Sequence, residues 1–283
     1  MELGVIDFAK CNVNFSQPTY EDLKKVGEEI YEAFSTIGFV YLKDTGISDN
    51  DPTKPGEYKE SFDVSGPGLA SLDSKWPDED LPGFSDTLKK FTKKLGQLAM
   101  RIIEALSIGM KIKDVAYLQK RHSRINNVKN ITTLRSLYYP VIPKDYVIKD
   151  GEMRLGEHTD FGSFTILFQD FVGGLQVMRQ DGTFIEATPI PGTALVNIGD
   201  CLQFWTKGKL KSTIHRIPMP EVDGPMNKKR SSLVYFVMPD HEAELSEIEC
   251  EGVVLSPDTN DTPTIALEHL QKKYAEVNMP IPN

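Results

Sequence analysis

The sequence predicts an α+β chain with a predominantly β core, in which an N-terminal helical layer supports a C-terminal β-barrel or sandwich. Apolar residues recur at three- and four-residue steps in two stretches before Leu106. From Thr133 onward short period-two runs replace that pattern, and Asp181-Gly182 supplies a hairpin signal between two of them. Across 283 residues, 40% hydrophobic and 26% charged is ordinary globular usage, enough to bury a sizeable core in one large unit.

Residues 5–8 are a short apolar run suited to a strand. Thr19-x-x-Asp22 reads as a helix start, and Leu23, Val26, Ile30 and Phe34 follow at helical spacing until Gly38 stops them. Phe39-Val40-Tyr41-Leu42 then suits a buried strand. Residues 49–82, rich in Pro and Gly and without period, read as loop. A long helix is expected over residues 85–106, with Leu88, Phe91, Leu95, Leu98 and Ile102 on one face. The β-like runs are 163–168, 175–178, 184–188, 194–198, 212–217 and 231–237. Thr262-Pro263 reads as an N-cap and first helical residue, opening a final helix to about Val277. No repeat, low-complexity tract or linker divides the chain. It sorts into an N-terminal helical region (1–125), a β core (126–240) and a C-terminal helical extension (241–283).

Lys+Arg 32 against Asp+Glu 41 gives a formal charge of −9, which repels phosphate backbones and anionic lipid surfaces, so neither nucleic acid nor membrane is expected as a partner. No apolar run reaches the roughly 20 residues of a spanning helix, and Met1-Glu2-Leu3-Gly4 lacks a basic segment leading into an apolar one. Cys11, Cys201 and Cys250 are odd in number and unpatterned in spacing, which predicts buried thiols in a reducing, cytoplasmic setting.

Of five histidines, two stand in a chemical context. His158-Thr159-Asp160 places an imidazole and a carboxylate two residues apart, so on extended backbone both leave the same face. His215 lies in a β-like run 55 residues beyond Asp160, from which a barrel could return it as a third donor. Two His and one carboxylate on one side of a metal suit non-haem Fe(II) and leave the opposite positions open. A His-x-Asp alone is usually a solvated turn, and a strand His usually a satisfied core residue. The weight comes from a second pair: Arg230 and Ser232 share a face at the start of the last β-run, a guanidinium and a hydroxyl suited to grip a buried carboxylate. The neighbouring Lys228 and Lys229 read as a solvated patch. Gly173-Gly174 and Gly199-Asp200 read as turns, Phe164, Phe168 and Phe204 as core, and His122, His241 and His269 as surface or packing residues.

The order of these elements resembles the Fe(II)/2-oxoglutarate-dependent oxygenases, in the branch similar to isopenicillin N synthase. The resemblance rests on His158-Thr159-Asp160-Phe161-Gly162, Thr165-x-Leu167-x-Gln169-Asp170, Gly173-Gly174-Leu175-Gln176-Val177, Val196-Asn197-Ile198-Gly199-Asp200, Thr206-x-Gly208, Lys211-Ser212-Thr213-Ile214-His215-Arg216 and Arg230-x-Ser232. Upstream, Leu134-Arg135 with Tyr138-Tyr139-Pro140, Trp76-Pro77 and Leu81-Pro82-Gly83-Phe84 are similar too.

The resemblance implies a double-stranded β-helix, or jelly-roll, over residues 126–240, with helices packed outside. It implies His158, Asp160 and His215 as iron ligands, and Arg230 and Ser232 as the grip on the distal carboxylate of 2-oxoglutarate, with Tyr139 at the same end. The cofactors implied are Fe(II), 2-oxoglutarate and dioxygen as cosubstrates, and ascorbate as a stimulant. The reaction implied is oxidative decarboxylation of 2-oxoglutarate coupled to hydroxylation or desaturation of a small molecule. Three other readings stay open here: an oxidase of the same fold that does not use 2-oxoglutarate, a non-catalytic metal-binding regulatory protein, and a zinc hydrolase, which has no evident use for Arg230 and Ser232. Two departures from the family pattern stand out. Residues 48–58 leave no room for a helix usual on the substrate side, and the interval from His215 to Arg230 is longer than usual.

Overall fold

The computed structural model describes residues 3–14, 18–45, 59–70, 76–148, 150–250 and 264–276. Its strands are β1 (Val5–Asp7), β2 (Phe39–Lys43), β3 (Glu60–Ser65), β4 (Thr133–Tyr139), β5 (Met153–His158), β6 (Phe164–Gln169), β7 (Gln176–Met178), β8 (Phe184–Glu186), β9 (Thr193–Ile198), β10 (His215–Pro218), β11 (Arg230–Val237), β12 (Glu244–Leu245) and β13 (Thr264–Ile265). Its helices are α1 (Tyr20–Thr36), α2 (Gly66–Ala70), α3 (Phe84–Gly109), α4 (Tyr117–Lys120), α5 (Asp200–Trp205) and α6 (Ala266–Glu276). None of the described helices is long and apolar enough to cross a membrane.

A seven-stranded sheet, in the order β1-β2-β9-β6-β11-β4-β3, faces a four-stranded sheet, β5-β10-β7-β8. Apart from the parallel β1–β2 pair, neighbours in both sheets run antiparallel, the arrangement of a jelly-roll. Strand parity divides the large sheet's side chains between two cores. Leu134, Ile166, Val196 and Tyr235 pack outward with α1 and α3. Their neighbours Leu137, Leu167, Leu195 and Val234 point inward between the sheets. The central strands are therefore buried on both faces, which is why they read as near-continuous apolar runs.

The Thr19 hydroxyl accepts the backbone N–H of Asp22 at 3.1 Å, fixing the start of α1 as the sequence predicts. Gly38 turns the chain into β2 with φ +80°, and a Cβ there would meet the Lys211 carbonyl oxygen at 2.0 Å, so both backbone and space require glycine. α1 and α3 touch backbone to backbone at Gly27 and Gly109.

The structure corrects several expectations. The stretch read as loop over 49–82 contains β3, which pairs along its length with β4, and the short α2. As an edge strand with Glu60, Ser61, Phe62 and Asp63 half-buried or exposed, β3 carries no clean apolar alternation. β3 thus joins β1 and β2, both expected as strands, in the large sheet. The last helix begins at Ala266, because Thr264 and Ile265 pair with β12; Thr262-Pro263 and Val277 lie outside the described residues. The shortened segment at 48–58 lies outside them too. Strand structure in the run 212–217 starts only at His215. Phe204 is 47% exposed, edging His269, because α5 turns Cys201, Leu202 and Trp205 inward instead. β5 and α5 were not foreseen as elements. The loop after β10 is pinned by Asn227, whose amide oxygen accepts Ile142 N–H and whose amide nitrogen donates to the Ile142 carbonyl.

Candidate metal centre

His158 ends β5 and His215 begins β10, and antiparallel pairing sets them directly opposite each other. Their ring centroids stand 4.2 Å apart. Each Nδ1 faces a backbone carbonyl, Gly156 at 2.8 Å and Thr213 at 3.1 Å. A carbonyl only accepts, so Nδ1 carries a proton, and in the neutral ring the lone pair is on Nε2. Both Nε2 atoms lie 3.9 Å from the same oxygen, Oδ1 of Asp160, and the donor atoms of the three residues all fall within 4.8 Å of one another. Asp160 and His215 are buried; His158 is half-buried.

The other carboxylate oxygen of Asp160 is fixed from behind. Thr165 Oγ1 and Asn197 Nδ2 each donate to Oδ2 at 2.6 Å, from inward positions that are register partners on β6 and β9. Burial would push the Asp160 carboxyl up, but positive charge on the His215 and His158 rings, when they are protonated, together with these two hydrogen bonds holds it below the usual carboxylate range. Burial, then the adjacent His215, depress the His158 imidazole and favour its neutral form.

One cavity of about 50 Å³ is lined by this triad and by Tyr139, Arg230 and Ser232. Arg230 is 1% exposed and stands opposite Tyr139 in the β4–β11 register. Its Nε donates to the Gly173 carbonyl at 2.8 Å, Nη2 to Gln169 Oε1 at 3.1 Å and Nη1 to Ser232 Oγ at 3.3 Å. The Tyr139 hydroxyl is buried and has no hydrogen-bond partner among the described residues. A larger hollow of about 760 Å³ lies apart from the triad, along α3 beside Lys89, Lys93 and Met100.

All six residues singled out in the sequence therefore line one cavity. Sequence reasoning passed over the residues that hold them: Thr165 and Asn197 behind Asp160, and Gln169 and the Gly173 carbonyl around Arg230. A polar residue at an inward position of an otherwise apolar strand was the available signal for Thr165, Asn197 and Gln169. Gly173 does turn the chain, with φ +77°, and the same turn aims its carbonyl at Arg230. His122, 1% exposed, is a packing residue bonded to Ser163 Oγ and the Leu118 carbonyl.

Two imidazoles and a carboxylate gathered on one side of a jelly-roll cavity define a class, the non-haem iron oxygenases. The chain belongs to the 2OG-Fe(II) oxygenase superfamily, whose sequence profile its residues 130–239 match. It is 39% identical over 206 residues to the 2-oxoglutarate-dependent dioxygenase htyE of Aspergillus rugulosus, an overlap covering 70% of this chain and 60% of that protein. The chain thus spans less than two thirds of that relative's length. Among solved structures it is similar to a Neurospora crassa protein crystallised in C-terminally truncated, apo form, with 30% identity, TM-score 0.64 and coverage of 83% of this chain and 94% of that one. The full-length form of the same Neurospora crassa protein, in complex with alpha-KG and thymine, superposes with TM-score 0.81 at 27% identity, covering 97% of each chain.

Proposed function

We propose that this protein is an Fe(II)- and 2-oxoglutarate-dependent oxygenase that couples decarboxylation of 2-oxoglutarate to hydroxylation or desaturation of a small-molecule substrate. The observation that carries this reading is the single cavity with three convergent metal donors at one end and a buried guanidinium, hydroxyl and unpartnered phenol at the other. His158, Asp160 and His215 would hold Fe(II), an ion their mixed imidazole and carboxylate donors suit. Arg230 and Ser232 would bind the distal carboxylate of 2-oxoglutarate, and the Tyr139 hydroxyl would gain the partner it lacks. The bound iron supplies the dioxygen chemistry, with dioxygen as cosubstrate and ascorbate as a reductant that sustains activity. The chain's part is to fix the donors: Thr165 and Asn197 hold Oδ2 of Asp160 and would leave Oδ1 for the metal, and the Gly156 and Thr213 carbonyls would keep the imidazoles in the ligating tautomer. Gln169 and Gly173 hold the Arg230 fork toward the cavity.

A small-molecule substrate is supported by the Neurospora crassa relative, solved with thymine or 5-formyluracil beside alpha-KG. A cytoplasmic setting is supported by Cys11, Cys201 and Cys250, all free and buried, with burial pushing the Cys11 thiol up to about 11. The test is succinate release from 2-oxoglutarate by the Fe(II)-loaded protein under oxygen, screened across small metabolites. Iron binding without any 2-oxoglutarate binding would favour an oxidase of the same fold. Binding of both without turnover on any metabolite would favour a regulatory role.

A further inference from the structure

We infer that Arg154, on β5, is a positioning residue for the carboxylate grip. It ties Tyr139 to Arg230 and adds a second buried positive charge that makes this end of the cavity select a dicarboxylate 2-oxo acid over a monocarboxylate one. The inference rests on the proposed use of 2-oxoglutarate.

Arg154 is 7% exposed and belongs to the four-stranded sheet, yet its hydrogen bonds leave that sheet. Its Nη2 donates to the Pro140 carbonyl at 2.8 Å and to the Lys228 carbonyl at 3.3 Å. Pro140 follows Tyr139 directly, and Lys228 precedes Arg230 by two residues. Tyr139 and Arg230 are themselves register partners, at the end of β4 and the start of β11. One guanidinium group thus clamps both strand ends that carry the grip, and anchors them to the opposite sheet. Both bonds come from the one planar Nη2 group, whose two hydrogens point in fixed directions; a lysine ammonium at the same site would hold the carbonyls less rigidly.

The charge balance points the same way. Among the described residues, neither Arg154 nor Arg230 has a carboxylate within ion-pair distance. The acid nearest both in electrostatic effect is Asp170, whose oxygens already accept Ser231 N–H and Val172 N–H. Glu186 and Glu221 line, with Arg154 itself, a hollow of about 180 Å³, but both are exposed, so water screens them. Arg154 Nε is buried and has no partner among the described residues. Two buried cations without a buried counterion are costly in an empty protein and are relieved by an anionic ligand. A ligand's second carboxylate, seated on Arg230 and Ser232, would be that anion.

The experiment compares 2-oxoglutarate with 2-oxobutanoate, which has the same 2-oxo acid head but no distal carboxylate, as ligands of the Fe(II)-loaded protein without oxygen. Affinities are measured for the wild type, Arg154→Gln and Arg154→Lys. Arg154→Gln is expected to weaken 2-oxoglutarate by about tenfold or more, the scale of one charge interaction inside a protein. It should leave 2-oxobutanoate and iron stoichiometry unchanged, and Arg154→Lys should recover part of the loss. Equal weakening of both ligands would reduce Arg154 to a general structural role and overturn the inference, as would unchanged 2-oxoglutarate affinity. If Arg154→Gln does not fold, Arg154→Met, which keeps the bulk and removes the charge, gives the same comparison. A wild-type protein that binds iron but not 2-oxoglutarate would sink the proposed function itself, an outcome distinct from loss of selectivity in the variants alone.

Discussion

The Tyr139 ring lies beneath the Arg230 guanidinium, 5.2 Å from centroid to carbon, and its hydroxyl is buried without a partner among the described residues. Burial raises the phenol's pKa against the opposing pull of Arg230, Arg154 and Arg135, so the group stays an O–H donor. Tyr139→Phe removes an unsatisfied polar atom from the ligand-free protein and a donor to the incoming carboxylate from the complex. The ligand-free Tm is therefore expected to hold or rise while 2-oxoglutarate affinity falls about 10- to 100-fold, the worth of a hydrogen bond to a charged group. Calorimetry on both forms checks the pair of changes, and a fall in Tm with unaltered affinity would contradict it.

Asn197→Ala and Thr165→Val each remove one of the two hydrogen bonds to Oδ2 of Asp160 without altering a metal donor. Fe(II) affinity should drop about 10- to 100-fold in either variant, and further in Asp160→Ala, His158→Ala or His215→Ala. Iron titration reads this directly; full iron affinity in Asn197→Ala would show that Asp160 needs no support.

His122 sets a pH dependence of stability. Burial lowers its imidazole from the ordinary 6.5 to about 4. As pH falls through 6.5 the unfolded chain takes up a proton that the native protein refuses until about 4, so stability is lost across that window and levels off below it. At about 1.4 kcal/mol per pH unit the loss attributable to this residue is about 3 kcal/mol. Denaturant unfolding between pH 7 and pH 4 should show a shallower decline in His122→Gln than in the wild type; parallel curves would count against the assignment.

Gly27→Ala tests the backbone contact between α1 and α3. The added Cβ would stand 1.8 Å from the Ala105 carbonyl oxygen, a clash that only separation of the helices relieves. Overpacking usually costs about 1–3 kcal/mol, and against backbone the upper end or more is expected, seen as a clear fall in thermal midpoint. An unchanged midpoint would mean that the helices can part freely.

The chemistry-bearing residues were legible because they sit in local patterns. The two-residue spacing of His158 and Asp160, and of Arg230 and Ser232, predicts a shared face wherever the backbone is extended, as it is for the second pair in β11. The helices α1 and α3 were legible for the same reason, their apolar stripes repeating within a few residues. β3 was not, because an edge strand with one wet side needs no regular alternation, and its assignment rests on pairing with β4 some seventy residues later.

By itself the sequence determined the composition of the site: which imidazoles, carboxylate, guanidinium and hydroxyl were available, and which pairs shared a face. Tertiary structure decided what they do to one another. Only the β5–β10 register brings His215 opposite His158, only the β6–β9 register sets Thr165 beside Asn197 behind Asp160, and only the meeting of the two sheets lets Arg154 reach the carbonyls beside Tyr139 and Arg230. The physical reason is that side-chain direction along a strand follows from local backbone geometry, whereas register between strands is fixed by turns and by the burial of both sheet faces at once.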